Sequence, residues 1–265
     1  MRFIALVTVL VVALTSQAFA SGGGGTDPKH PEKHAWTWEG PFGTFDRQQL
    51  QRGYVVYKEV CAGCHSMKLL SFRNLAQPGG PEFSLPQAKA IAAAVKVVGQ
   101  NDIGEDIDRP ATLADRFPSA YRNEKAARAS NNNALPPDLS VIIKARAHGI
   151  EGEGPDYIFS LLTGYSTPPE GVKVLDGLNY NPYFAGHQIA MPPPLSSDGM
   201  VTWPEGNPAA TTQQMAKDVV AFLTWGADPH MEARKSLGVK VVIFLILLSV
   251  LLFFAYKRQW KDVAH

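Results

Sequence analysis

The residues Cys61-Ala62-Gly63-Cys64-His65 decide how the rest of this 265-residue chain is interpreted. They form a C-x-x-C-H pattern, which is typical of covalent attachment of a c-type heme. On a helical turn, positions i, i+3 and i+4 share a face, so both thiols can bond to one porphyrin while the imidazole reaches its iron. The pattern predicts thioether bonds from Cys61 and Cys64 and an axial iron ligand in His65. Because the pattern occurs once, it predicts one covalent heme c.

Other sites that two cysteines and a histidine can form fit this chain less well. A structural zinc site would need further Cys or paired His at ligand spacing, and the sequence holds only two cysteines. A thioredoxin-like redox pair would need a βαβ context, which the pattern of the chain lacks. A disulfide between Cys61 and Cys64 would leave His65 without a role.

The segment before the motif is predicted to be a helix. Asp46 is a good N-cap, with Gln49 three residues later. Helical spacing relates Leu50, Tyr54, Tyr57 and Cys61. Further helices are predicted at 86–98, 156–162 and 212–225, separated by turns rich in Pro and Gly. We therefore expect a mainly α fold in which long loop insertions extend a cytochrome c-type heme domain.

The two ends of the chain indicate export and a membrane anchor. Residues 1–20 combine a basic start, an apolar run and an Ala-Phe-Ala cleavage site, as in a signal peptide, which predicts a mature heme domain at 21–236. Residues 237–256 form a 20-residue stretch that carries only Lys240, and a helix of this length matches a hydrocarbon core of ~30 Å. The basic residues in 257–265 predict a cytoplasmic tail by the positive-inside rule. An uncleaved N-terminal anchor and a buried C-terminal core helix are the alternatives.

The composition excludes some classes of protein, and the net charge of the whole chain differs from that of residues 21–236. With 45% hydrophobic and 18% charged residues the chain is not disordered, and a net charge of +1 gives no nucleic-acid footprint. Residues 21–236, however, hold 20 of the 25 basic side chains and 23 of the 24 acidic ones, a net charge of −3. Two acidic clusters stand out: Asp102, Glu105, Asp106 and Asp108, and Glu151, Glu153 and Asp156. They could steer a basic partner, or they could be ordinary solvated loops.

The sixth iron ligand decides between electron transfer and chemistry at the iron. Met191 precedes Pro192-Pro193-Pro194, and the prolines can hold its loop extended so that it presents a thioether rigidly. His187 is the main rival, as a bis-His ligand. The remaining methionines fit less well, because they lie too close to the motif, in a predicted core stripe, beside the anchor or in an exposed turn: Met67, Met215, Met231 and Met200. The remaining histidines are expected at the surface: His30, His34, His148, His230 and His265.

The ordered set of motifs resembles the cytochrome c1 family, the heme subunit of the cytochrome bc1 complex. The resemblance rests on Cys61 to His65, on Ala126-Ala127-Arg128 through Ala134-Leu135-Pro136-Pro137-Asp138-Leu139-Ser140, on the Met191 loop and on the Trp225 segment before the anchor. It covers nearly the whole mature chain. The resemblance implies His65 and Met191 as the axial pair and Arg128 as a partner of a heme propionate. Some bacterial relatives carry a second cysteine pair before the axial Met, which this sequence lacks.

The resemblance also implies a function. The chain would accept single electrons from the Rieske iron–sulfur protein, in a complex with cytochrome b, and pass them to a cytochrome c. Its expected place is a bacterial inner membrane, with the heme domain on the periplasmic side. Alone it would not be catalytic. The alternatives are a tethered monoheme subunit of a terminal oxidase, an exported heme peroxidase, which needs an open iron, and a heme-bearing sensor, for which no output domain is visible.

Overall fold

The computed structural model describes residues 27–147 and 153–262. The predicted signal peptide, His148 and His265 lie outside these residues, and so does Glu151. Within them, the chain is mainly helical, as the sequence predicts, with two short β-hairpins.

The first part of the chain contains two helices and a hairpin. Helix α1 spans Arg47–Val56 and continues through a π-helical turn at Tyr57–Cys61. A 3₁₀ turn follows at Phe72–Ala76, and helix α2 spans Leu85–Ala93. Strands β1, Lys96–Gln100, and β2, Asp106–Pro110, pair antiparallel.

The second part of the chain contains five helices and a smaller hairpin. Helix α3 spans Glu124–Ser130, α4 spans Ile142–Ala145 and α5 covers Glu153–Thr163. Strands β3, Asn179–Tyr180, and β4, Gln188–Ile189, pair antiparallel around a 3₁₀ turn at Ala185–His187. Helix α6 spans Thr212–Ala227 and α7 spans Met231–Gln259.

Local sequence signals explain where the main helices begin. The Asp46 carboxylate accepts hydrogen bonds from the backbone N–H groups of Gln48 and Gln49, which confirms the predicted N-cap of α1. Thr211 caps α6 in the same way, through Gln214 N–H. The predicted helix at 86–98 is wrong in its second half, because α2 ends at Ala93 and residues 96–100 pair with β2.

The core forms where α1 crosses α6. A Cβ atom at Gly53 would lie 2.0 Å from the backbone oxygen of Asp218, so glycine is required for the two backbones to approach so closely. Arg52 beside it makes a bidentate ion pair with the fully buried Asp218, at 2.8 and 3.1 Å. The predicted stripes of both helices face this crossing, and Met215 is fully buried, as expected of core packing. The crossing fixes the end of α1 that leads into the C-x-x-C-H motif.

Helix α7 is the one helix in the described part of the chain that is long and apolar enough to cross a membrane. Its 29 residues extend beyond the predicted span at both ends, and none of its most apolar window is buried against the rest of the protein. The alternative of a buried core helix is therefore wrong.

Candidate heme-binding site

The π-helical turn at the end of α1 presents the two cysteines. Ala62 N–H donates to the carbonyl of Tyr57 at 2.8 Å, and the N–H groups of Cys64 and His65 both donate to the carbonyl of Cys61. This extra residue in the turn places the motif at the edge of the core rather than inside it. Cys61 is half-buried and Cys64 is exposed. Cys61 packs against the hydrophobic core, and this burial, with the neighbouring Cys64, raises the pKa of its thiol to about 12.

His65 is oriented by a backbone carbonyl from a distant part of the chain. Its Nδ1 lies 2.8 Å from the oxygen of Pro137. Burial lowers the pKa of the imidazole, against the opposing effect of this hydrogen bond, and favours the neutral ring that binds metals. With Nδ1–H donated to the carbonyl, Nε2 is the nitrogen that can ligate iron.

A bracket of hydrogen bonds, which we call the Asp138 bracket, joins residues 66–69 to 138–140. The Asp138 carboxylate accepts from Ser66 Oγ at 2.8 Å, from Lys68 N–H at 3.0 Å and from Ser140 N–H at 2.8 Å. Leu139 N–H donates to the Ser66 carbonyl at 2.8 Å. The bracket holds Pro137, which directly precedes Asp138, against His65.

The hydrogen-bond donors also determine the charge of Asp138. Burial alone would raise the pKa of its carboxyl, but the hydrogen bonds from Ser140, Lys68 and Ser66 outweigh burial and hold the pKa below its usual value. The bracket therefore has a charged acceptor at neutral pH.

Tyr121, three residues before α3, lies beside Cys64 and connects that helix to the motif. Tyr121 Oη is 3.8 Å from the Cys64 sulfur and accepts a hydrogen bond from Asn131 Nδ2, which also donates to the Ala127 carbonyl in α3. Arg128 is exposed near the end of α3, and its guanidinium donates to the carbonyl of Asn133 at 3.0 Å. The structure thus brings the segment of Arg128 to the cysteine motif, while the contact with a propionate stays a prediction.

The Met191 segment is held by side chains from two other parts of the chain. Its carbonyl accepts from Tyr165 Oη at 3.0 Å and lies 3.4 Å from Asn179 Nδ2. The fully buried Asn181 donates to the carbonyl of Leu161 at 2.8 Å and so ties the β3–β4 hairpin to α5. Within the described residues these hydrogen bonds hold the loop that the second cysteine pair bridges in some bacterial relatives. The position of the Met191 thioether opposite His65 stays a prediction.

The other candidate ligands lie in several different parts of the fold. His187 has a positive φ of 59°, and its Nε2 lies 3.2 Å from the Asp27 carbonyl. Met200 is exposed, whereas three other methionines are buried in the core: Met67, Met215 and Met231. His30 and His230 are exposed, and the His34 ring packs on Phe159. The described residues contain no group of three or more His, Cys, Asp or Glu side chains that could hold a metal ion.

One member of the second acidic cluster, Asp156, is not at the surface. Asp156 is buried, and its Oδ1 accepts from Trp36 Nε1 at 2.8 Å and from His34 N–H at 3.1 Å. Asp156 therefore serves the fold, and neither alternative for its cluster, steering of a basic partner or a solvated loop, applies to this residue. Each acidic residue of the other cluster is exposed on the β1–β2 hairpin.

The residues around His65 fit a covalent heme. Two cysteine side chains, a neutral imidazole with Nδ1 bonded to a carbonyl, and a thioether on a tethered loop are the donor set that one c-type heme needs. Sequence reasoning missed the roles of Pro137, Asp138 and Tyr121. The Pro136-Pro137-Asp138 run was a visible signal, but nothing local indicates that it meets His65.

The family comparison identifies a related group of proteins. The model of the cytochrome C1 family matches residues 36–263. The chain is 47% identical to cytochrome b/c1 of Bradyrhizobium diazoefficiens over 98% of its own length, but it spans only 39% of that protein. It is 48% identical to a mitochondrial cytochrome c1 heme protein of Arabidopsis thaliana, over 88% of this chain and 72% of the relative. With cytochrome c1 of Rhodospirillum rubrum the identity is 42%, over 97% of this chain and 95% of the relative.

Proposed function

The chain belongs to the cytochrome c1 family, and from this premise we propose that it carries single electrons from the Rieske iron–sulfur protein to a cytochrome c. As a member of this family it is a heme-containing electron-transfer subunit of the cytochrome bc1 complex and carries one covalently bound heme c. When bound, that heme supplies a one-electron iron couple. The match favours this function over a terminal oxidase subunit, an exported peroxidase or a sensor.

Five residues of this chain would hold the group. Cys61 and Cys64 would form the thioethers, His65 and Met191 would ligate the iron, and Arg128 would offset the charge of a propionate. The observation that carries this proposal is the 2.8 Å contact between His65 Nδ1 and the Pro137 carbonyl, because it selects Nε2 as the ligand nitrogen.

The protein around these residues sets the redox properties. With His65 and Met191 both bound to it, the iron would have no open position, which would prevent ligand exchange and raise the potential. The Pro137 carbonyl makes the imidazole a stronger donor, and the hydrogen bond from Tyr165 to the Met191 carbonyl restrains the loop that supplies the thioether. The chain then needs no proton transfer of its own during electron transfer.

The topology follows from the ends of the chain. Residues 1–20 are removed as a signal peptide, residues 21–236 form the exported heme domain, residues 237–256 cross a bacterial inner membrane and residues 257–265 face the cytoplasm. The exposed, uncharged stretch of α7 supports the span, and the basic tail supports the orientation. Cytochrome b and the Rieske protein would be the neighbours in the membrane.

Replacement of the axial thioether tests the site. Met191→Leu should lower the midpoint potential of the full-length heme protein and allow carbon monoxide to bind rapidly to the reduced form, because the iron loses a ligand that favours the reduced state. Redox titration and carbon monoxide difference spectra measure both effects. Met200→Leu and His187→Leu are matched controls and should change neither. An opened iron in His187→Leu, or none in Met191→Leu, would contradict the ligand assignment.

The route of the electron needs a separate experiment. In membranes that contain the complex, added quinol should reduce the heme c of this chain rapidly, and a cytochrome c should reoxidise it. In membranes of a strain without the Rieske protein, reduction by quinol should be lost while chemical reduction persists. Undiminished reduction by quinol there would refute the proposed donor.

A further inference from the structure

A cleft lies where the heme domain meets the first turns of α7. Its volume is about 300 Å³, and one wall is the turn Pro41, Phe42, Gly43 and Thr44. The other wall is one face of α7, formed by residues at helical spacing: Glu232, Lys235, Ser236, Val239 and Lys240. A space of this size is at the lower end of those that hold a small ligand.

The cleft is at the level of the membrane surface if α7 spans as proposed. Lys240 directly precedes the uncharged residues 241–256, so the wall at Val239 and Lys240 meets the boundary between headgroups and acyl chains. Phe42 is 79% exposed on the opposite wall, although it is large and apolar. An exposed aromatic ring beside the start of a span is typical of a side chain that enters the membrane interface.

The turn that carries Phe42 is fixed to the helix. The Lys235 ammonium donates to the carbonyls of Trp38 and Gly40, and the Glu232 carboxylate accepts from Phe45 N–H at 2.7 Å and from both Nη atoms of Arg47. A Cβ atom at Gly43 would lie 2.1 Å from the Glu39 carbonyl oxygen, so the tight turn requires glycine there. The cleft is therefore a formed feature.

The charges in the cleft favour an anion. Arg47 pairs with both Glu232 and Glu82, at 2.6 and 2.9 Å. Lys235 therefore balances the remaining negative charge, while its ammonium is held by carbonyl oxygens. Lys240 then supplies the excess positive charge. Lys240 is exposed and has no hydrogen-bond or ion-pair partner within residues 27–147 and 153–262. Two ammonium groups and the Ser236 hydroxyl thus line a space that opens toward apolar surface.

We propose that this cleft binds the phosphodiester headgroup of an anionic phospholipid of the outer leaflet. The Lys240 ammonium would bind the phosphate and Ser236 would donate to it, while Phe42 and Val239 contact the start of the acyl chains. The proposal rests on the proposed membrane span of α7. Such a lipid would fill the joint between the heme domain and its anchor.

Photo-crosslinking in nanodiscs tests the proposal. The full-length heme protein is placed in phosphatidylcholine nanodiscs, with or without phosphatidylglycerol, each lipid carrying a photoreactive group near its headgroup. Peptide mapping should find phosphatidylglycerol attached to residues 41–44 and 236–240, in preference to phosphatidylcholine. In Lys240→Gln the attachment at these peptides should fall about fivefold, which is the factor expected for one basic side chain at an anionic surface. Lys240→Arg should retain most of it.

Controls separate this site from general attraction to anionic lipid. Lys257→Gln makes the same change of charge at the other end of α7 and should leave the attachment at residues 41–44 unchanged. Phe42→Ser should weaken it. Equal labelling by both lipids, or no effect of Lys240→Gln, would overturn the proposal, and so would exclusive crosslinking of this face to another subunit in the intact complex. Extraction of the chain from membranes by carbonate would contradict the proposed membrane span of α7. That result is distinguishable from failure of the lipid site alone.

Discussion

Asp138→Ala should loosen the heme site although Asp138 is not one of the proposed ligands. The substitution removes the acceptor of three hydrogen bonds, from Ser66 Oγ, Lys68 N–H and Ser140 N–H, at 2.8 to 3.0 Å. It leaves Pro137, the residue that orients His65, on a segment with fewer restraints. Two measurable quantities should change: the stability of the fold and the midpoint potential.

The size of the stability effect follows from the count of bonds. A hydrogen bond contributes about 1 kcal/mol net, so three lost bonds correspond to a destabilisation of about 3 kcal/mol, less where water replaces the carboxylate. Asp138→Asn keeps one acceptor oxygen but turns an amide N–H toward a backbone donor, so we expect an intermediate loss of about 1 to 2 kcal/mol.

The potential should rise in the same variants. The hydrogen bond from Nδ1 to the Pro137 carbonyl strengthens the imidazole as a donor and so favours ferric iron. Loss of about 1 kcal/mol of this preference corresponds to a rise of about 40 mV for a one-electron couple. The change should be larger in Asp138→Ala than in Asp138→Asn.

Denaturant melts and redox titrations of the full-length heme protein measure these effects. Asp198→Ala is the matched control, because the Asp198 carboxylate accepts from the N–H and hydroxyl of Thr212, at 2.6 and 2.9 Å, and takes no part in the Asp138 bracket. It should lower stability without moving the potential. Asp138→Ala could destabilise the fold and still have the same midpoint potential as Asp198→Ala. In that case the Asp138 bracket only stabilises the fold, and the proposed effect on His65 is refuted.

Three further predictions concern the crossing, acid stability and partner steering. Gly53→Ala should lower the free energy of unfolding by about 3 kcal/mol or more in urea melts, because the new Cβ would lie 2.0 Å from a backbone oxygen. Gly238→Ala is the control and should be tolerated, since its Cβ would have nothing within 4 Å. Equal stability of the two variants would contradict the close packing at Gly53. The Arg109 guanidinium, with the N–H and hydroxyl of Thr112, holds the pKa of the Asp115 carboxyl well below its usual range. The Asp115 carboxylate therefore stabilises the fold above its ordinary pKa, and this stabilisation is lost as pH falls below ~4. Asp115→Asn should therefore flatten the acid limb of melting temperature against pH, and an unchanged limb would refute this. Neutralising the four acidic residues of the β1–β2 hairpin should reduce the salt dependence of oxidation by a basic cytochrome c, whereas Glu205→Gln should not; a flat dependence in the unaltered protein would remove the steering idea.

Local patterns in the sequence predict the parts of the site that are close in the chain. The spacing of Cys61, Cys64 and His65 alone indicates thioethers and an axial ligand, because the relevant geometry is one helical turn. Asp46 is predicted as an N-cap for the same reason, and the structure confirms it. The buried stripe of α6 is also a local signal, since one periodic face must meet the core.

Parts that depend on distant pairing could not be predicted. Residues 96–98 follow an alanine-rich helix and continue its pattern, yet Val97 pairs with Arg109 in the hairpin. The preference for a strand there comes from a partner more than ten residues away. In the same way, 72 residues separate His65 from Pro137, and no pattern within either segment indicates that they meet.

Because the sequence has no cysteines besides Cys61 and Cys64, the Met191 loop is held without thiols that could interfere with thioether attachment of the heme. A disulfide would restrain the Met191 loop mainly by limiting the unfolded chain, whereas the hydrogen bonds of Asn181 and Tyr165 act only after folding. The chain thereby avoids a further pair of thiols that could exchange with the heme anchors. Because Cys61 and Cys64 are the only thiols in the sequence, the sole intramolecular disulfide that can compete with thioether formation is their own. The loop is thus held by bonds that are insensitive to the redox state on which attachment depends.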